Sequence, residues 1–411
     1  MSDLNRRPTP SFITFALVLI IAVLSITVHS FSNWPGPLRI SFPNRDDDVV
    51  MGFDFSIPYR VSGQLIRRET IYQSYNGAYP NYDYLPQSLL FVLPFTLFPL
   101  KTAYYILLVV SLSALWALFL RIGRSLGSVD PWWYALIFPI IVLFSQPGIY
   151  LYDRANLETI GAVFIYGALL AWLVGRTNVF ALLIALATCL KPVYIPFLLF
   201  FLFMKERKRL LLIFAGVHAI VYGIVSLIYG SPLLLLRYFQ NLGDYLTFTK
   251  EWTWDMNVGI LSWLSNLFPS SLTTFMTLKA SLVVLFLLCA GAIAIRLSRQ
   301  KKSSEFDRLE GAVYFILLAF ITTLWQFVSF AYGSLILLLT LPLADRLYPG
   351  ATSRWTALLL ICQSVFLGLI FSVTQPSHSP LGLRTPYYLL ALLCWSFILI
   401  RMPAQNPEVV R

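Results

Sequence analysis

Charge, cysteine and histidine are all scarce in this chain. Asp, Glu, Lys and Arg make up 12% of its residues and hydrophobic ones 58%, whereas a soluble domain carries about 25% charge. Too little charge is available to cover a water-facing surface, so a soluble globular fold is excluded. Each of the four cysteines, Cys189, Cys289, Cys362 and Cys394, lies inside an apolar run without paired spacing. That pattern indicates neither a disulfide framework nor a zinc site. Three histidines, His29, His218 and His378, are too few and too scattered for a histidine-built metal centre. Acid is in the minority as well, 19 residues against 30 Lys and Arg, giving a net charge of +11. The basic residues fall in short clusters between apolar segments, where they orient helices, so nucleic acid is not an expected partner.

What remains is grease, in long stretches. A mean hydropathy of +0.73 and apolar runs of roughly 17 to 25 residues, each long enough to cross the hydrocarbon layer as a helix, predict an all-α, polytopic integral membrane bundle. Spans are expected near 12–31, 103–120, 132–150, 156–174, 178–190, 192–204, 212–230, 274–295, 312–330, 333–347, 355–374 and 386–401, about twelve crossings. The first reads as an uncleaved anchor behind Arg6 and Arg7, because "SFSNW" after it offers no small-residue cleavage site. Basic clusters at Arg121/Arg124, Arg176, "KERKR" (205–209), 296–302 and Arg346/Arg354 mark the cytoplasmic side. Both termini are then cytoplasmic, and the expected location is the plasma (inner) membrane. The whole chain, 1–411, forms a single membrane domain: an anchor (12–31), a long extracytoplasmic loop with interfacial helices (32–102), a transmembrane core (103–230), a second outer loop (231–272) and C-terminal helices with a cytoplasmic tail (273–411).

Two places allow alternatives. "LPQSLLFVLPFTLFPL" (85–100) is short and carries Pro86, Pro94 and Pro99, so it reads either as a span or as a helix on the outer surface. Residues 178–204 form either one kinked helix or two short ones meeting at Lys191-Pro192.

Polar side chains amid this grease are costly and therefore informative. Asp54 in "GFDFSIPYRVSGQLIRRETIY" is placed at the water boundary by a surface helix; an apolar surround would make its carboxylate a better base, while Asp46, Asp47 and Asp48 also read as solvated loop acids. In "YLYDRANLETIG" (150–161), Asp153 and Arg154 pair with each other or serve a site, and Asn156 and Glu158 carry polarity on into the next helix. Lys191 in "LATCLKPVYIPF" contacts a phosphate or snorkels to the interface. In "FTKEWTWDMNVGILSWL", Trp252, Trp254 and Trp263 form an aromatic belt or, with Asp255 and Asn257, a sugar platform. Tyr332 sits near Trp325 and Gln326 at the outer end of two helices.

Taken in order, "GFDFSIPYRVSGQLIRRETIY", "YDYLPQSLLFVLPFTLFPL", "RANLE" and "LATCLKPVYIPFLLFFLFMKERKR" resemble segments of the GT-C fold polyprenyl-phosphate-dependent glycosyltransferases. The branch that this chain resembles is grouped with bacterial alpha-(1,2)-mannosyltransferases, over residues 12–345. The resemblance implies an inverting hexosyl transfer, with mannose as one candidate sugar. The donor would be a polyprenyl-phosphate sugar, the acceptor a hydroxyl of a glycolipid or glycan of the cell envelope. It also implies a site on the outer face with its base in the first outer loop. Asp54 matches that acid as general base, and Lys191 matches the basic residue after the small-residue helix. Arg154-Ala155-Asn156 occupies a turn written Gly-Gln-x-Asn or Arg-Gly-Asn in related chains, and Tyr84 with Pro86 matches a Tyr-x-Pro helix entry. Lys191 and Arg154 would bind the donor phosphate; Asp48, Tyr84, Asn156, Glu158, Trp254, Asp255, Asn257 and Tyr332 would support it or the acceptor. Many relatives have Trp-x-His where this chain has Tyr332, which leaves the sugar open. Metal dependence is open too: Asp48 is placed to help hold a divalent cation, but the loop aspartates lack a Ca²⁺ or Mg²⁺ spacing. A multi-pass transporter or flippase of lipid-linked sugars is the alternative, since broken helices and intramembrane charges also mark transport paths.

Overall fold

The computed structural model describes residues 53–72, 74–75, 78–80, 84–127, 155–202, 204–249, 308–324 and 338–347, with isolated helical positions between 135 and 142 and between 281 and 295. The anchor 12–31, the spans near 355–374 and 386–401, and most of those near 132–150 and 274–295 lie outside the described residues. Within them the chain is helical apart from one small hairpin.

The expected surface helix is present as α1, Phe53–Arg67. Its buried side chains, Phe55, Val61, Ser62 and Leu65, recur at helical spacing. They pack on the segment that follows the hairpin. The helix ends in a Schellman motif: Arg68 takes a left-handed φ of 58°, its N–H donates to the Leu65 carbonyl, and the Glu69 N–H reaches back to that of Gln64. Arg68 then donates to the Ile228 carbonyl at 3.3 Å, which ties this end to a distant helix. Beside it the exposed Arg67 and Glu69 pair at 2.6 Å, and the hydrogen bond from Arg67 holds the Glu69 carboxyl below its ordinary range. The hairpin is antiparallel, β1 Ser74–Tyr75 with β2 Ala78–Pro80. Its strands are joined by Asn76-Gly77, the dipeptide best suited to a two-residue hairpin loop.

Residues 85–100 do not form one continuous helix. Pro86 and Pro94 divide them into a 3₁₀ turn (Pro86–Ser88), a single α turn α2 (Leu89–Val92) and a second 3₁₀ turn (Leu93–Leu97). Phe55 meets Phe95 edge-on at 5.8 Å, Tyr59 donates to the Phe98 carbonyl at 2.8 Å, and Ser62 to that of Leu89 at 3.4 Å. This segment is thus a packed shelf beneath α1.

Among the described residues two helices are long and apolar enough to cross a membrane: α3, Leu100–Ser125, and, further along, Arg207–Tyr229. At 1.5 Å per residue they run about 39 and 34 Å, against about 30 Å of hydrocarbon. Both carry apolar side chains outward, among them Val109 and Val110 on α3, and Leu212 (72% exposed) and Leu227 (78%) on the other. Water would not tolerate so long an apolar face; lipid does. Between them α4 (Glu158–Leu173) and α5 (Thr177–Leu190) form a tight antiparallel pair. Small residues occur along both helices, and at Gly167 of α4 a Cβ would fall 3.2 Å from Leu183 of α5, so the missing side chain lets the two approach. The reversal is a second Schellman motif, with Gly175 at φ 77°.

The ambiguity at 178–204 resolves as two segments. α5 stops at Leu190, Lys191 is extended (φ −143°, ψ 128°), and Pro192 opens a 3₁₀ turn, Pro192–Phe197, that leads into α6, Leu198–Leu202. That segment runs back along α4 and α5: Phe200 packs edge-on against Trp172 at 4.7 Å, and Phe197 meets Phe315. α7 (Arg207–Tyr229) packs against α5 and turns at Gly230 (φ 82°) into α8, Leu234–Thr249. α9 (Arg308–Leu324) closes over the Trp172 end of α4, with the indole donating to the Arg308 carbonyl at 3.0 Å. α10 (Thr340–Leu347) follows.

The bundle has two unlike ends. One gathers Arg121 and Arg124 at the end of α3, Arg176 at the start of α5 and Arg308 at the start of α9. The other, where α3 and α4 begin and α5 ends, carries α1, the shelf and the polar side chains described next.

Candidate functional site

Five of the residues singled out in the sequence meet at that second end. Asp54 lies in the first turn of α1, where the helix N-terminus favours a carboxylate. Four residues on stands Pro58, which has no N–H to offer the Asp54 carbonyl. Asn156 comes from the turn before α4, in which Ala155 takes a left-handed φ of 49°. That kink lets the Asn156 side chain fold forward over the first turn of α4. Its Oδ1 accepts the Glu158 N–H at 3.0 Å, and its backbone carbonyl accepts the Thr159 hydroxyl at 2.7 Å.

Asn156 is also the meeting point of three chain segments. Its Nδ2 donates to Asp54 Oδ2 at 3.1 Å, and the Tyr84 hydroxyl donates to its Oδ1 at 3.0 Å. Tyr84 is itself tied down, its carbonyl accepting the Tyr72 hydroxyl at 2.8 Å. Asn156, Tyr84 and Glu158 are buried, and Asp54 is half-buried. A primary amide that gives to a carboxylate and takes from a phenol fixes both in one orientation.

Lys191, at the broken end of α5, reaches Glu158 Oε1 at 2.6 Å, with side-chain exposures of 18% and 6%. Its ammonium also stands 5.1 Å from the centre of the Tyr84 ring. The other Glu158 oxygen, Oε2, is buried and accepts no hydrogen bond from the described residues. An ammonium has three donors, so one bond to Glu158 leaves capacity for a further anion.

The site also contains residues that the sequence did not single out. The Tyr194 side chain lies against Gly161 of α4: a Cβ there would fall 2.6 Å from its hydroxyl. One turn before Lys191, Thr188 Oγ1 meets His218 Nε2 at 2.8 Å. The Thr188 hydroxyl also lies 3.0 Å from the Ile184 carbonyl and 2.8 Å from that of Ala185. A tyrosine or a histidine within an apolar helix is unremarkable in composition, and no spacing signals either pairing. Asp48, Arg154, Trp254, Asp255, Asn257 and Tyr332 lie outside the described residues. Among the described residues no three His, Cys, Asp or Glu side chains come together as a metal site.

A carboxylate held by an amide, an ammonium nearby and a wall of apolar helices suit removal of a proton from a hydroxyl and accommodation of a phosphate. In a comparison with known protein families, the model of glycosyltransferase family 87 matches residues 82–321, more than half of the chain. That stretch contains Tyr84, Asn156, Glu158 and Lys191, while Asp54 lies upstream of it. No curated protein matches the chain.

Proposed function

The chain belongs to glycosyltransferase family 87, and from that membership we propose that it transfers a hexose from a polyprenyl-phosphate sugar to a hydroxyl of a glycolipid or glycan. The transfer takes place on the extracytoplasmic face of a multi-pass membrane bundle of GT-C type. In this reading Asp54 accepts the proton of the acceptor hydroxyl as its oxygen bonds to the anomeric carbon. The bond from that carbon to the phosphate oxygen breaks on the opposite side of the sugar, so the configuration inverts, and the lipid phosphate departs with the electron pair. Mannose is the sugar that the alpha-(1,2)-mannosyltransferase resemblance favours.

The observation that carries the proposal is the bond from Asn156 to Asp54 across 102 positions of sequence. It ties a half-buried carboxylate to the residue whose Oδ1 accepts the N–H of Glu158, the ion-pair partner of the partly exposed Lys191 ammonium. General-base catalysis contributes about 10²–10⁴-fold when the base is held in reach of its proton, and Asn156 does the holding. Lys191 supplies the cation for the leaving phosphate. Its charge is partly offset by Glu158, so Arg154, four residues before Glu158, is assigned the second cation. A carrier with long isoprenoid tails enters from lipid, and a site at the end of an apolar bundle lets its head reach water while its tail stays between helices.

The test is transfer in vitro from a panel of polyprenyl-phosphate sugars, comparing the parent chain with Asp54→Asn. Asparagine keeps the shape and cannot take the proton, so turnover with the preferred donor should fall about 10²-fold or more. Unchanged turnover would remove Asp54 as the base. No turnover by the parent with any donor would favour movement of lipid-linked sugars over their chemistry.

A further inference from the structure

At the opposite end of the bundle a cavity of about 510 Å³ is lined by Arg121, Arg124, Ser125, Leu170, Val174 and Arg176. Arg308 lies alongside, its guanidinium 3.1 Å from the position that a Cβ on Gly175 would take. None of these four arginines pairs with an acid among the described residues. Arginines that close together repel one another unless an anion is shared between them.

Helix dipoles account for part of the cluster. Arg124 sits in the last turn of α3, where a cation is favoured. Arg176 lies between the C-terminus of α4 and the first residue of α5, where the two helix dipoles act on it with opposite sign, and it makes no capping bond with its side chain. Toward the α5 N-terminus a cation has the wrong sign, whereas an anion would satisfy both that terminus and the guanidinium. Beside the arginines, Leu170 and the exposed Val174 give the cavity an apolar wall. That combination suits a phosphate that carries a glycerol and acyl chains better than a free ion. The cavity also lies at the end of α3, a helix long enough to cross the membrane, at the depth of lipid headgroups.

We propose that this cavity binds the phosphate headgroup of an anionic phospholipid in the leaflet opposite Asp54, with Arg121, Arg124 and Arg176 as its ligands. The proposal needs the membrane and not the sugar chemistry, so it stands or falls apart from the role given to Asp54.

The test uses the full chain purified in neutral detergent and titrated with short-chain phosphatidylglycerol, with phosphatidylcholine and with inorganic phosphate at matched ionic strength. Thermal melting and retention of lipid in native mass spectrometry are the readouts. Phosphatidylglycerol should raise the melting midpoint and remain bound, while the other two have little effect. The triple variant R121Q/R124Q/R176Q, and R176Q alone should the triple one fold poorly, should weaken the lipid response about tenfold or more. R209Q, on the exposed Glu206 pair outside the cavity, should leave it intact. A response to inorganic phosphate as strong as that to the lipid, or one unchanged in the cavity variants, would overturn the proposal.

Discussion

Three parts of the chain reach Asn156: Asp54 from α1, Tyr84 from the shelf and Glu158 from α4. Because its amide donates to Asp54 from 3.1 Å, replacing it by a second carboxylate should disturb the base directly. Two carboxylates at that separation cannot both ionise easily, and one pKa rises. Asn156→Asp is therefore expected to move the acid limb of the pH–rate profile upward by about one unit or more, because the base must lose its proton before it can accept one. Recording kcat/KM from pH 4 to 9 checks this; an unmoved limb would mean that Asp54 is not the group titrating.

The same scale fixes what Lys191 does. Removing one partner of a buried pair strands the other: Lys191→Met leaves the Glu158 carboxylate, 6% exposed, without its cation. The expected loss of stability is about 3–5 kcal/mol, to be read from thermal melting in detergent. Pairing it with Glu158→Gln removes the stranded charge and should restore most of the midpoint. Transfer should stay low in both, since neither has an ammonium for the leaving phosphate. Recovery of activity together with stability would reduce Lys191 to a structural role.

Among the elements, the close fit of α4 against the 192–197 turn holds Lys191 and Glu158 together. Gly161 makes room there for the Tyr194 ring, and the methyl of Gly161→Ala would stand 2.6 Å from its hydroxyl. The turn is pinned by Pro192 and Pro196, so it has little freedom to yield. We expect a destabilisation of about 1–3 kcal/mol, as for other overpacked contacts, together with a lower kcat as Lys191 is pushed away from its partner. Differential scanning fluorimetry and the transfer assay measure the two effects. Glu69→Gln offers the contrast: both members of its ion pair are exposed, so melting and activity should hardly change.

At the scale of the molecule, the two ends differ in kind. Arg121, Arg124, Arg176 and Arg308 gather at one, and a linked set of carboxylate, amide, phenol and ammonium at the other. From the positive-inside rule we propose that the arginine end faces the cytoplasm and Asp54 the outside. A cysteine at Ser125 should react with an impermeant maleimide only after the membrane is opened, and one at Gln64 without opening it. Labelling of both from the same side would refute the assigned orientation and the extracytoplasmic site with it.

The site was legible in part because of the solvent. In a chain that is 58% hydrophobic, each of Asp54, Asn156, Glu158 and Lys191 interrupts an apolar run at a cost, and cost marks function. Tyr194 and Thr188 interrupt nothing so conspicuous, and His218, one of three scattered histidines, has no spacing that signals a partner. Composition alone likewise determined helices in lipid as the architecture, since an unpaired backbone cannot cross hydrocarbon. The prolines of 85–100 left it as either a span or a surface helix, whereas the structure divides it into short turns that form a shelf under α1. The hairpin at Ser74–Tyr75 and Ala78–Pro80 was not expected from an all-α reading, because it is too short for an apolar count to register. Tertiary structure alone decided the partnerships. Asp54 finds Asn156 across 102 positions, and Lys191 takes Glu158, where the sequence had offered it only a phosphate or the membrane interface. Periodicity reports the face on which a side chain lies, but not which other face the packing of helices will bring against it.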